Sequence, residues 1–134
     1  MNPVPTVDTR FFLTHFLGET ETTREKTRHK ITELQRQNAI VPTIVIHEVY
    51  KFECENVGAD AADLRIDSIL KSTFRVVDLT VPIAITAARL RTRQRGLPTA
   101  DSIIAATALE LKSKQVISDD PHFSKIEGIR IDWT

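Results

Sequence analysis

A single cysteine, Cys54, leaves nothing for a disulfide framework and nothing for a thiolate zinc cluster, so a reducing interior is the expected setting. Net charge is also missing, because 18 basic side chains balance 18 acidic ones. A neutral chain exerts no overall pull on a polyanion, which argues against a module that holds nucleic acid by charge alone. No apolar run approaches the roughly 20 residues that span a bilayer, and the N-terminus lacks the basic-then-apolar order of an export signal. A soluble cytoplasmic protein with no membrane partner is therefore expected. Glycine is scarce, and the four present form no phosphate-cradling loop. His15, His29, His47 and His122 are scattered, none at metal-ligand spacing from another, and no Ser-His-Asp or Cys-His pattern accompanies them. No repeat, low-complexity segment or linker divides the chain, so residues 1–134 read as one domain with one core.

What the chain does have is alternation. Pro3-Val4-Pro5-Thr6-Val7 reads as a first strand, kept extended by its prolines. It passes at Asp8-Thr9, both good N-cap types, into a helix that Gly18 stops. Residues 19–37 are very polar but rich in helix formers, with only Ile31 and Leu34 on an apolar stripe. Arg24, Lys26, Arg28 and Lys30 there read as a solvated face, with phosphate contact as the alternative. Ala39-Ile40-Val41 makes a second strand, closed by Pro42. Thr43 is expected to cap a helix from 44 to about 56 with Ile44, Val45, Val49 and Phe52 inward, and Asp60 to cap the next. In that second helix Ala61, Leu64, Ile66, Ile69 and Leu70 are the apolar residues. A third strand spans 73–77, and Thr80-Val81-Pro82 opens a long helix by the preference for Pro at its first position. Arg89, Arg91, Arg93 and Arg95 crowd its end, where cations favour the helix dipole; a local patch for RNA is an equal reading. The last helix, from Pro98, is dominated by small residues, so another element can approach it closely. It leads to a fourth strand, Gln115-Val116-Ile117-Ser118, and a fifth follows over 128–133. The order predicts a three-layer α/β/α sandwich on a parallel sheet of four to five strands, with right-handed crossovers.

The carboxylates are the chemistry-bearing feature. Asp8 follows the first strand and Asp119-Asp120 follow the fourth, where ligands bind in an open parallel sheet. Asp101 opens the helix that leads into that strand. Glu48 falls on the inward stripe of its helix, a costly place for an unpaired charge. Each acid has a local explanation, whether cap, dipole partner or turn former. Together they have another. Acids about 5 Å apart repel by roughly 3 kcal/mol per pair at an effective dielectric near 20, so a cluster must take up protons or bind a cation. Oxygen ligands without a His or Cys set favour Mg²⁺ or Mn²⁺, and such an ion can activate water against a phosphodiester.

Four pieces of the chain resemble the PIN domain, the metal-dependent ribonuclease fold found in VapC-type toxins. They are Val7-Asp8-Thr9, Glu48 within Val45–Val49, the run from Leu97-Pro98-Thr99-Ala100-Asp101 to Ala108, and the run from Val116-Ile117-Ser118-Asp119-Asp120 to Phe123. The resemblance covers essentially the whole chain, and the third and fourth pieces are specific in combination. It implies that Asp8, Glu48, Asp101 and Asp120 are the catalytic, metal-binding acids. Asp120 is preferred because the family's last acid sits two after a Ser or Thr, with Asp119 second. It further implies that Thr9 and Ser118 orient carboxylates, that RNA is the substrate, that the cofactor is Mg²⁺ or Mn²⁺, and that the protein is a homodimer. For the toxin branch it implies an antitoxin partner. The alternative is a PIN-fold module that binds RNA or protein without catalysis. A phosphohydrolase or phospho-acceptor fits less well, since such sites need a second Asp two residues after the first and position 10 here is Arg.

Overall fold

The computed structural model describes residues 4–133. Its elements run β1 (Thr6–Val7), α1 (Thr9–Leu17), α2 (Glu21–Arg36), β2 (Ile40–Pro42), α3 (Thr43–Asn56), α4 (Ala59–Leu70), β3 (Arg75–Val77), α5 (Val81–Arg93), α6 (Thr99–Glu110), β4 (Gln115–Ile117), α7 (Pro121–Ser124) and β5 (Arg130–Asp132). The five strands form one sheet in the order β3-β2-β1-β4-β5, and every pairing is parallel. From β1 the chain steps outward through β2 to β3, then crosses back to β4 and β5. Right-handed crossovers therefore put the connecting helices on opposite faces, which gives the expected three layers. β1 and β4 are direct neighbours, in register at Thr6–Val116 and Val7–Ile117.

The strands are short and buried at the centre, as sheets covered on both faces require. Val7, Val41, Val116 and Ile117 are essentially inaccessible and pack with Phe11, Phe12, Val45, Val49, Ala105 and Ala108. α6 buries Ser102 and the whole run Ile104–Ala108; its alanines let α5 lie closely alongside through Ile83 and Ala87. Gly18 ends α1 in the left-handed region, at φ 50°. A side chain there would also stand 2.7 Å from the Arg24 Cγ.

Several local expectations change. Pro3 lies outside the described residues, and β1 itself starts only at Thr6. Thr43 is the first helical residue of α3, with Pro42 at the N-cap, and α4 is entered through Gly58 with Asp60 inside its first turn. Pro82 takes the second rather than the first position of α5, where its missing N–H is equally harmless, and the Thr80 hydroxyl accepts from the Ile83 N–H. α3 buries Glu53, paired with Arg65 at 3.8 Å, while Phe52 is only half-buried. In α4, Ala62 and Ile69 are buried and Leu64 and Leu70 are exposed. On α2, Arg24 donates to the Gly18 carbonyl and Lys30 reaches Asp132 at 2.9 Å, so two of the four cations are anchors rather than solvated charges. α7 interrupts what reads in sequence as a simple turn.

Candidate metal centre

The site lies at the carboxyl edge of the sheet, between β1 and β4, where the direction of the crossovers reverses. Asp8 occupies the N-cap position of α1 but makes no side-chain cap. Its carboxylate turns across the strand gap instead, where Oδ2 accepts the Ser118 hydroxyl at 2.6 Å. The same Ser118 oxygen accepts the Asp120 N–H at 3.0 Å, so one hydroxyl ties both acid-bearing loops together. On the other side the Thr9 hydroxyl donates to Glu48 Oε1 at 2.6 Å, which reaches in from the second turn of α3. Asp101 projects from the first turn of α6, and Asp120 caps α7 by accepting the His122 N–H at 2.9 Å.

These acids feel one another. Burial pushes the Asp8 carboxyl from 3.8 up to about 7; the Ser118 hydrogen bond opposes this, while Asp101 and Glu48 add to it. Asp8 is only 2% exposed, so water does little to relieve it. Burial is also the main cause that lifts Asp101 to about 6, followed by the charges of Asp120 and Glu48; His122 counters them. Asp8, Glu48, Asp101 and Asp120 thus converge, although each comes from a different stretch of the chain. A divalent cation suits such a donor set, because it would offset both the burial and the repulsion of these charges, and one ligand atom each from Asp101, Asp120 and His122 lies within 4.8 Å of the others.

Asp119 does not join them. It is exposed and binds Arg10 Nε at 2.6 Å. Arg10 also feels Asp120 and Asp8, which sets a cation beside the cluster. Of the predicted RNA-contacting arginines, Arg93 and Arg95 are free on the surface, while Arg91 Nε donates to the Leu97 carbonyl at 3.0 Å and braces the turn before α6. Beside the acids runs a groove of about 490 Å³ lined by Thr9, Leu13, Ile44, Glu48, Phe52 and Thr99, among others. Sequence reasoning passed over His122, whose Nδ1 stands 2.9 Å from Asp120 and 3.8 Å from Asp101. The available signal was Asp120-Pro121-His122: a capping Asp followed by Pro starts a helical turn and folds the third residue back toward the cap.

A parallel α/β/α sandwich with acids meeting at its switch point defines a PIN-like α/β protein. The chain belongs to the PIN domain family, whose model matches residues 6–129. Among solved structures it is similar to VapBC2 from Rickettsia felis bound to a DNA fragment from its promoter, with a TM-score of 0.77 and 15% identity over 96% of this chain and 97% of that one. It is also similar to DNA-bound VapBC from Salmonella typhimurium, with a TM-score of 0.75 and 20% identity over 99% and 98%. The third is VapC20 of Mycobacterium tuberculosis, a toxin that cleaves the Sarcin-Ricin loop, at 0.74 and 16% over 90% and 92%. Among curated proteins, none matches the sequence. No helix among the described residues is long and apolar enough to cross a membrane.

Proposed function

We propose that this protein is a divalent-metal-dependent endoribonuclease and the toxin of a toxin–antitoxin pair. The observation that carries the reading is that acids far apart in sequence share one buried sheet edge: burial raises Asp8 and Asp101, and the charges of Asp101 and Glu48 on the first, and of Asp120 and Glu48 on the second, raise them further. Asp8, Glu48, Asp101 and Asp120 would hold Mg²⁺ or Mn²⁺. Such an ion supplies a water nucleophile at neutral pH and stabilises negative charge that develops on the phosphodiester. Thr9 and Ser118 keep the Glu48 and Asp8 carboxylates pointed into the centre, and Arg10 stands ready for a backbone phosphate. Arg93 and Arg95 extend a basic path, helped by a hollow of about 640 Å³ that Arg89, Arg93 and Lys125 share.

The resemblance to VapBC complexes supports an antitoxin partner, and the groove beside Glu48 offers it an apolar floor next to acids that a basic side chain could fill. Leu79, Val81 and Ile85, exposed around the start of α5, are surface that a second copy of the chain would cover. The test is cleavage of single-stranded and structured RNA by purified protein with Mg²⁺ or Mn²⁺, compared with EDTA. Asp101→Asn and Glu48→Gln should fold and lose cleavage by at least about 100-fold, in the range of a lost general base or charge stabiliser. Full activity in both variants would defeat the reading.

A further inference from the structure

The acids of the centre are accompanied by one nitrogen whose surroundings are unusual. The His122 ring is 43% exposed, yet its Nδ1 is shut off from solvent and makes no hydrogen bond. That atom stands 2.9 Å from Asp120 Oδ1, out of line for a hydrogen bond, and 3.8 Å from Asp101 Oδ2, too far for one. A buried nitrogen with no aligned partner, set close to two carboxylate oxygens, is an arrangement that a cation shared by all three would satisfy.

We propose that His122 supplies a nitrogen ligand, through Nδ1, to the cation that Asp101 and Asp120 hold, and that this nitrogen tilts the centre toward Mn²⁺ and Co²⁺ over Mg²⁺. The inference rests on the reading of the acids as a divalent-metal site. One ligand atom from each of Asp101, Asp120 and His122 lies within 4.8 Å of the other two. Adjacent ligands of an octahedral ion bound at about 2.1 Å stand about 3 Å apart and opposite ones about 4.2 Å apart. The 2.9 Å separation matches adjacent ligands, and the 3.8 Å one lies between the adjacent and opposite distances.

The backbone that carries the ring is held from more than one side. Asp120 Oδ1 fixes the His122 N–H, Gln94 Nε2 at the end of α5 donates to the His122 carbonyl at 3.1 Å, and the next residue, Phe123, is fully buried. Asp120 therefore both caps the turn and aims its third residue at the centre. The selectivity follows from ligand chemistry: Mg²⁺ is served by oxygen ligands and gains little from imidazole, whereas affinity for a mixed nitrogen and oxygen set rises from Mn²⁺ to Co²⁺.

The experiment loads the full chain with Mn²⁺ and looks by pulsed electron paramagnetic resonance for a directly coordinated ¹⁴N, which needs no variant. The coupling is expected in the natural protein and absent in His122→Gln. Calorimetric titrations of the same two proteins should show Co²⁺ affinity falling by about tenfold or more in the variant, at least the loss typical of a disturbed ligand shell. Mn²⁺ affinity should fall less and Mg²⁺ affinity stay unchanged. Bound Mn²⁺ without nitrogen coupling overturns the proposal, as does an equal loss for all three ions. If RNA is cleaved and no nitrogen is coupled, this inference fails alone. If nitrogen is coupled and no RNA is cleaved, the ribonuclease reading fails and the ligand assignment stands. A protein that binds none of the three ions overturns both.

Discussion

Replacing Asp8 by Asn exchanges one carboxylate oxygen for an amide nitrogen and keeps an acceptor for the Ser118 hydroxyl. The packing is unchanged; only the charge goes. In the metal-free protein that charge is a burden, because burial has moved the Asp8 carboxyl from 3.8 to about 7. The sign follows from linkage. The folded state holds the proton more tightly than the unfolded one, so the group adds most to stability below pH 3.8, and that contribution is lost as pH rises through about 7. At about 1.4 kcal/mol per pH unit, the full cost above pH 7 is about 4 kcal/mol, shared with the neighbouring acids through coupled titration. Between pH 5 and pH 8 the advantage of Asp8→Asn should grow by about 2 to 3 kcal/mol, or roughly 10 °C in Tm. Thermal unfolding of both proteins in EDTA at the two pH values measures it. Adding Mn²⁺ at pH 8 should then raise the Tm of the natural protein more than that of Asp8→Asn. A variant that is no more stable than the parent at pH 8 in EDTA would refute the claim that Asp8 carries an unfavourable buried charge among these acids, and with it the physical case for a cation.

Two further outcomes follow from the same contacts. Asp119→Asn breaks only an exposed pair with Arg10, so it should cost less than about 1 kcal/mol of stability and leave Mn²⁺ affinity by calorimetry unchanged; a large loss would return Asp119 to the metal set. Ser118→Ala removes a donor to Asp8 and an acceptor for the Asp120 N–H, with a stability cost of about 1 to 3 kcal/mol. Because that donor holds the Asp8 carboxyl down, its loss should shift the pH at which Mn²⁺ binding reaches half its maximum upward, which titrations across pH 5 to 8 would register.

Much of the architecture could be read along the chain, because it depends on local signals. Gly18 at the end of α1, Pro42 at the end of β2 and Thr80 before α5 mark boundaries through backbone chemistry that needs no distant partner. The alternation of short apolar strands with helices implies parallel pairing, since only a crossover connection can join parallel neighbours. Where local rules met tertiary packing, packing won. Glu53, not Phe52, is the residue that α3 buries beside Val49, because Arg65 on α4 lies opposite with its guanidinium 5.0 Å from the Phe16 ring. Leu64 and Leu70 stay exposed because α4 covers its neighbours through only a narrow stripe.

The centre divides in the same way. The sequence by itself determined which acids end strands or begin helices, since strand ends and helix starts are local events; that nominated Asp8, Asp101 and the Asp119-Asp120 pair, and helical phase nominated Glu48. The family resemblance preferred Asp120 to Asp119, and the tertiary structure supplies the physical reason. Two adjacent residues in a turn point opposite ways, and which one faces inward depends on where Ser118 and Arg10, the latter 109 residues away from Asp119, happen to stand. His122 entered for the same reason. One turn of helix at α7 brings its ring near Asp120, a closeness the Asp120-Pro121-His122 spacing foreshadows, and also near Asp101, a closeness that arises from the path of the backbone in space and has no counterpart in spacing along the chain.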